Sequence, residues 1–229
     1  MTDTERELQK RYGTPTNPLV NVPDSRSIAE VFESAKKNAV KRQPEKAEIT
    51  DERVLMALIQ DYQQQVTFRN RQFVRDDSFN EYAKIIVDWI MGGKTEYPWL
   101  YLSGSVGNGK STFGRSATNI LRYLGHKTAA KSGGELAQLY RQLDVSKRAY
   151  EEWRAICYVP ILYIDDLEIG KWLDEVVEVR YNQMLPTIIS TNIEFAALEN
   201  QVSAKIYDRF LELTTEVIFT RESFRRKRQ

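Results

Sequence analysis

The sequence predicts an α/β fold, in which helices cover both faces of a five-stranded parallel sheet and a small helical module precedes the sheet. From residue 76 onward, short apolar runs alternate with segments whose apolar residues recur at helical spacing. This alternation is typical of parallel strands joined by crossover helices. A glycine-rich turn also joins the first strand to its helix. The five predicted strands are Trp99–Leu102, His126–Ala130, Val159–Ile164, Thr187–Thr191 and Glu216–Thr220.

The helices between these strands are predicted from apolar periodicity. Ser78 is the candidate N-cap of a helix that ends at Gly92 and Gly93, before the first strand. A helix with Phe113 and Leu124 on its apolar face follows the glycine-rich turn. The remaining predicted helices span approximately Leu136–Leu143, Tyr150–Ile156, Leu173–Tyr181 and Lys205–Phe210.

Residues 1–75 have a different composition. The first 25 residues are polar and include one glycine and three prolines, which predicts an irregular arm. Two helical patterns follow, from Ile28 to Ala39 and from Val54 to Val66, both with narrow apolar stripes and many charges. We therefore predict a helical module over residues 1–75 that docks on a partner, and a main domain over residues 76–229. The alternative is that these helices pack on the main domain.

The composition excludes several classes of protein. With 33 Lys and Arg against 32 Asp and Glu, the chain has no overall charge for gripping DNA, so any such contact needs a local patch. The single cysteine, Cys157, and the single histidine exclude a disulfide framework and a zinc finger. No apolar run approaches the roughly 18 residues of a membrane span, and the first residues resemble no signal peptide. We expect a cytoplasmic protein with Cys157 in its core.

Residues 104–111, GSVGNGKS, match the phosphate-loop pattern G-x-x-x-x-G-K-[ST] in full. Glycines let such a loop curl until its backbone N–H groups face a phosphate, at the positive end of the next helix. We expect Lys110 to reach the β- and γ-phosphates of ATP and Ser111 to bind Mg²⁺. The predicted nucleotide-binding residues are Gly104, Ser105, Val106, Gly107, Asn108, Gly109, Lys110, Ser111 and Thr112.

Two other predicted strands end in polar residues. Asp165 and Asp166 follow an apolar strand, so they are expected beside the phosphate loop at the carboxyl edge of the sheet. There Asp165 would hold Mg²⁺, and Asp166 would orient or deprotonate the attacking water. Asn192 ends a second apolar strand, where its amide would contact that water or the γ-phosphate. Taken alone, the two carboxylates would be a solvated turn and Asn192 a strand cap.

Lys205 and Arg209 lie one turn apart on a predicted helix. A guanidinium at this position would reach a nucleotide bound to a neighbouring subunit and stabilise charge in the transition state. The alternative is an exposed helix that carries ordinary salt bridges.

Together these residues resemble the bacterial replicative helicase loaders, the DnaC/DnaI-like branch of the AAA+ ATPases, of which the transposon-encoded IstB-type ATPases are relatives. The resemblance covers about residues 76–226. Its pieces are residues 102–111 (LSGSVGNGKS), 162–167 (LYIDDL), 180–181 (RY), 185–192 (LPTIISTN), 208–210 (DRF), 217–219 (VIF) and 223–225 (SFR). It implies a P-loop NTPase fold of the AAA+ type without a helical lid.

The resemblance also implies roles. Lys110 and Ser111 become the first Walker motif, Asp165 and Asp166 the second, Asn192 the first sensor, and Arg209 the finger given to the adjacent subunit. Lys205 stands where the family often has a second arginine. The family's DNA-associated helix falls near Val145–Ile156, where Lys147, Arg148 and Arg154 are diluted by Glu151 and Glu152.

The implied function is an ATP-dependent loader of the replicative DNA helicase onto single-stranded DNA. Its amino-terminal module would hold the helicase, and its ATPase domains would assemble into an ATP-linked oligomer with slow hydrolysis. An IstB-like ATPase that binds duplex DNA and regulates a transposase is the nearest alternative, and a nucleotide-gated adaptor without hydrolysis is a second one.

Overall fold

The computed structural model describes residues 49–92 and 97–221. These residues belong to one compact unit that begins at Ile49. Three sequence predictions lie outside the described residues. They are the helix from Ile28 to Ala39, the helix end at Gly93, and the Ser-Phe-Arg triplet at 223–225. The division of the chain at residue 75 therefore stays a prediction.

The sheet has five parallel strands in the order β2-β3-β4-β1-β5, which confirms the predicted fold class. Its strands are β1 (Trp99–Gly104), β2 (Thr128–Ser132), β3 (Ile161–Asp165), β4 (Thr187–Ser190) and β5 (Thr214–Phe219). Strand β2 begins two residues later than predicted. The reason is that the backbone N–H of His126 donates to the Leu121 carbonyl, 3.0 Å away, which closes the preceding helix and keeps His126 out of the strand.

Helices cover both faces of the sheet. They are α1 (Asp51–Phe68), α2 (Asp77–Ile90), α3 (Lys110–Tyr123), α4 (Gly133–Tyr140), α5 (Lys147–Cys157), α6 (Lys171–Asn182) and α7 (Ala204–Leu213), with a 3₁₀ helix at Phe195–Asn200. One apolar layer joins the sheet to α1, α2 and α3, and a second joins it to α4, α5, α6 and α7. Cys157 is buried in the second layer, as expected. None of the helices within the described ranges is long and apolar enough to cross a membrane.

The N-cap predicted for α2 is wrong. Asp76, not Ser78, caps this helix, and its Oδ1 accepts a hydrogen bond of 2.8 Å from the backbone N–H of Phe79. An N-cap side chain bonds the N–H two or three residues later, and Asp76 has this spacing to Phe79. Ser78 lies instead inside the first turn.

Helix α1 packs on the sheet domain. Thr50 caps its start, and Val54 and Leu58 are buried in the same apolar layer as α2 and α3. On its polar side, Asp61 accepts hydrogen bonds of 3.1 and 3.4 Å from Asn119 of α3. For this helix the structure therefore shows packing on the main domain, which was the alternative to partner docking.

A buried arginine ties together the amino ends of two central strands. The side chain of Arg180, on α6, has no exposed surface. It donates to the carbonyls of Cys157 (3.1 Å) and Val159 (2.9 Å) before β3. It also donates to the Pro186 carbonyl (2.5 Å) and to Thr187 Oγ1 (2.7 Å) at the start of β4. Desolvation lowers the pKa of Arg180 to about 10, so the side chain remains charged at neutral pH.

We expect Arg180→Leu to lower the free energy of unfolding by about 3 kcal/mol or more, because several buried carbonyls lose their donor and each unsatisfied group costs roughly 1–3 kcal/mol. Urea denaturation of the full chain measures this change. Lys171→Leu, on the exposed start of the same helix, is the matched control and should shift the unfolding free energy by less than about 0.5 kcal/mol. Equal stabilities of the two variants would contradict the view that Arg180 holds the amino ends of β3 and β4 together.

Candidate nucleotide-binding site

The phosphate loop follows β1 and requires glycine at two points. Gly104 and Gly109 have φ angles of 134° and 107°, in the region that side chains other than glycine rarely enter. A Cβ on Gly104 would collide with the carbonyl oxygen of Phe219, and one on Gly109 would lie 2.5 Å from the hydroxyl of Tyr62. Both glycines therefore allow close approaches, to the end of β5 and to α1, that a larger residue would block. The backbone N–H groups of such a loop, at the start of a helix, form a site that fits a phosphate group.

Lys110 lies at the centre of this loop. Its buried ammonium donates to the carbonyls of Gly104 and Ser105, at 2.6 and 2.7 Å. It also donates to Oδ1 of Asn108 at 3.2 Å and to Oδ1 of Asn192 at 3.1 Å. The last contact brings Asn192, two residues after β4, to the phosphate loop, and the predicted first Walker motif and sensor are therefore adjacent.

Asp165 ends β3 beside the loop, where its two oxygens have different partners. Ser190 Oγ donates to Oδ1 at 2.6 Å, and Arg115 donates to Oδ2 at 2.5 Å. Burial alone would raise the pKa of Asp165. Hydrogen bonds, mainly from Ser190 and Ser111, together with the charge of Arg115, outweigh burial and lower that pKa below its ordinary value. The carboxylate is therefore ionised at neutral pH and able to bind a cation.

Asp166 has an unusual backbone conformation. Its φ is +53°, its side chain is exposed, and it lines the same cavity as Lys110 and Asp165. A non-glycine residue in this region is uncommon and is often found at functional sites. The conformation turns the chain sharply after β3, so that the two adjacent carboxylates occupy different positions in the site.

These residues surround a cavity of about 690 Å³, which is large enough for a nucleotide. Of the predicted nucleotide-binding residues, those from Val106 to Thr112 line the cavity. Gly104 and Ser105 do not line it, but their carbonyls accept hydrogen bonds from Lys110. Asp165, Asp166 and Asn192 line it too. The donor set of a serine hydroxyl and a carboxylate fits Mg²⁺, which prefers oxygen ligands. Among residues 49–92 and 97–221, no group of three or more His, Cys, Asp or Glu could hold a metal by itself.

Another part of the cavity wall was not predicted. It comes from the end of α1 and the segment after it, and its residues are Tyr62, Val66, Arg69, Arg71, Gln72, Phe73 and Val74. Arg221, which follows β5, holds the segment after α1 in place. Its guanidinium donates to the Val74 carbonyl at 3.1 Å and pairs with Asp76 at 2.8 Å. No sequence motif marks this wall, since it depends on where α1 packs.

Arg115 is a second site residue that sequence reasoning missed. It lies on α3, one turn after Ser111, and pairs with Asp165. Helical spacing places residues four apart on the same face, so this signal was available once Ser111 had been assigned.

Arg209 does not line the cavity of its own chain. It lies on α7, where its guanidinium pairs with Glu178 at 3.1 Å and covers the ring of Tyr181 at 4.7 Å. Lys205 pairs with the same oxygen of Glu178 at 2.9 Å. Hydrogen bonds from Arg209 and Lys205 lower the pKa of Glu178 to about 2.

The predicted basic patch on α5 is partly neutralised. Lys147 and Glu151 form an ion pair of 3.8 Å within the helix, and Glu152 pairs with Lys131 of β2 at 3.0 Å. Arg154 lies 5.6 Å from the ring centre of the half-exposed Tyr158. The patch therefore combines a cation with an aromatic ring, although its net charge is small.

No protein-family model matches the sequence, and no curated protein matches it significantly. Solved structures do match. The DnaC helicase loader superimposes with a TM-score of 0.57 at 18% identity, over 65% of this chain and 94% of that one. DnaI superimposes with a TM-score of 0.55 at 22% identity, over 77% of this chain and 94% of that one. The chain has a DnaC/DnaI-like AAA+ fold.

Other AAA+ matches extend this similarity. A putative primosome component from Streptococcus pyogenes serotype M3 is 27% identical, with a TM-score of 0.52 over 64% of this chain and 81% of that one. DnaA from Aquifex aeolicus, solved with AMPPCP bound, is 19% identical, with a TM-score of 0.53 over 63% of this chain. This chain spans about half of that DnaA, 48% of its length. The fold is thus that of P-loop NTPases, including one with a nucleotide analogue bound.

Proposed function

We propose that this protein is an ATP-dependent loader that places a replicative DNA helicase on single-stranded DNA. The observation that carries the ATPase part is the contact of Lys110 with Asn192, beside Asp165, in one cavity of nucleotide size. The loader part is supported by the fold that the chain shares with the DnaC helicase loader, over 94% of the chain in that solved structure.

The phosphate loop and Lys110 bind the triphosphate. The ammonium donates to the carbonyls of Gly104 and Ser105 and to the amide oxygens of Asn108 and Asn192, and bound β- and γ-phosphates would receive charge-assisted hydrogen bonds from the same group. Ser111 and Asp165 would hold Mg²⁺, which when bound supplies charge neutralisation at the phosphates.

Two residues act on the attacking water. The Asn192 amide is neutral, so it positions the water without repelling the γ-phosphate. Asp166, exposed at the edge of the cavity, accepts the proton of that water. Positioning and charge stabilisation supply most of what phosphoryl transfer requires.

The position of Arg209 supports the proposed assembly. Because this side chain lies outside the cavity of its own chain, any direct part in hydrolysis takes place at the nucleotide of an adjacent subunit. Hydrolysis is therefore slow in the monomer and acts as a release switch in an ATP-linked oligomer. The amino-terminal module binds the helicase through residues other than those of α1 that pack on the main domain. Arg154 of α5 and Tyr158, which follows this helix, contact single-stranded DNA.

Co-purification with the replicative helicase of the source organism tests this function. The full chain should retain the helicase with Mg·ATP and should transfer it to single-stranded DNA, whereas Lys110→Ala should fail to transfer it. Lys84→Ala, which removes an exposed lysine from α2, is the matched control and should behave as the wild type. Oligomers that form on duplex DNA without retaining the helicase would contradict the loader and favour the transposase-regulating alternative.

A further inference from the structure

Arg115 neutralises the carboxylate that the proposed mechanism assigns to Mg²⁺. Its Nη2 lies 2.5 Å from Asp165 Oδ2, and the two side chains are 40% and 17% exposed. An ion pair in which one partner is largely shielded from water interacts more strongly than a fully exposed pair. Because Ser190 Oγ donates to the other oxygen, both oxygens of Asp165 already have protein donors.

The position of Arg115 follows from helix geometry. Ser111 and Arg115 are separated by one turn of α3, and both side chains border the nucleotide cavity. The guanidinium therefore reaches Asp165 from the side of Ser111, where an ion shared by Ser111 and Asp165 would lie. A guanidinium and a divalent cation both need the free lone pairs of the same carboxylate, so they compete for it.

The fold also provides a place for the displaced side chain. Arg115 and Asp165 border a second cavity of about 430 Å³, whose lining includes Ser132 and Glu135 and also the cations Arg122 and Lys131. Glu135 accepts hydrogen bonds of 2.7 and 2.9 Å from Ser132 through one oxygen, Oε2. These hydrogen bonds lower the pKa of Glu135, and the one from the backbone of Ser132 has the larger effect. This cavity therefore contains a second ionised carboxylate.

We propose that Arg115 is a positioning residue that exchanges with Mg²⁺ at Asp165. Without nucleotide, Arg115 neutralises Asp165, so that the empty site does not present a bare negative charge to an incoming triphosphate. When Mg²⁺ arrives with ATP, Asp165 turns to the ion, and Arg115 moves into the second cavity towards Glu135. The inference rests on the proposed binding of Mg·ATP at this site and adds a metal-dependent switch to it.

The exchange makes opposite predictions for two forms of the nucleotide. In Arg115→Gln, Asp165 repels metal-free ATP, so the affinity for ATP in EDTA should fall several-fold. The ion no longer competes with the guanidinium in this variant, so the affinity for Mg·ATP should be unchanged or higher. The enhancement of ATP affinity by Mg²⁺ should therefore increase by about tenfold, the size expected when one charge-assisted hydrogen bond is lost.

Titration of the full chain with a fluorescent ATP analogue, in EDTA and in saturating Mg²⁺, measures both affinities. Arg141→Gln, which removes an exposed arginine that borders neither cavity, is the matched control and should leave both unchanged. Arg115→Lys keeps the charge and should show a smaller effect than Arg115→Gln. Thermal melts confirm that each variant folds.

The other outcomes separate the exchange from the site itself. If Arg115→Gln weakened both affinities to the same extent, Arg115 would contact the phosphates directly, and the exchange would be refuted. If neither affinity changed, the pair with Asp165 would be an ordinary surface ion pair, and the exchange would again be refuted. If the wild type bound no Mg·ATP, both the exchange and the proposed ATPase would be overturned.

Discussion

Lys110→Ala is expected to weaken binding of Mg·ATP by about 100-fold or more. The ammonium is buried and lies where the oxygens of Gly104, Ser105 and Asn192 converge. Hydrogen bonds to charged groups contribute about 1.5–3 kcal/mol each, so the loss of contacts to two phosphates amounts to at least two orders of magnitude in affinity. Hydrolysis should then be undetectable at nucleotide concentrations that saturate the wild type.

Isothermal titration with Mg·ATP measures this loss. Lys110→Met, which keeps most of the apolar stem, should lose the same affinity, because the effect comes from the charge and not from packing. Lys84→Ala is again the control for an exposed lysine. A dissociation constant of Lys110→Ala within twofold of the wild type would remove the nucleotide site from this loop, and with it the proposed ATPase.

The residues of the phosphate loop could be predicted because their chemistry is encoded in a short, contiguous motif. A loop that curls around phosphate needs glycines at fixed spacing, and Lys110 and Ser111 must follow them directly. Asp165 and Asn192 were predicted from a related rule, that polar residues at the carboxyl ends of parallel strands gather at one edge of the sheet. The structure places both beside the loop.

The remaining parts of the site depend on how elements pack. Tyr62 reaches Gly109 only because α1 lies across α3, and no periodicity within α1 specifies that partner. Arg115 was missed for a different reason, since its spacing from Ser111 was visible but its partner Asp165 lies 50 residues away in the sequence. Arg180 was noted only as part of a resemblance, and its burial among strand-end carbonyls required the crossover of α6.

Arg209→Ala is expected to leave nucleotide binding intact and to abolish the part of ATP hydrolysis that depends on assembly. An arginine supplied to a neighbouring active site typically accelerates phosphoryl transfer by about 10³-fold or more. Arg209 is buried in its own chain, so it must leave Glu178 and the ring of Tyr181 to reach an adjacent subunit. Glu178 is shared with Lys205, so it keeps a cationic partner when Arg209 leaves for the adjacent subunit.

ATP turnover measured across a range of protein concentrations distinguishes the role of Arg209 from that of Lys205 on α7. The specific activity of the wild type should rise with concentration as subunits assemble, whereas that of Arg209→Ala should stay at the monomer level. Lys205→Ala, one turn earlier on α7 and paired with the same carboxylate, should keep the rise. Arg209→Lys should recover little of it, because an ammonium lacks the planar, bidentate donors of a guanidinium. If the specific activity of Arg209→Ala rose with concentration as that of the wild type does, Arg209 would serve only to join α7 to α6 and would not act at the nucleotide of an adjacent subunit.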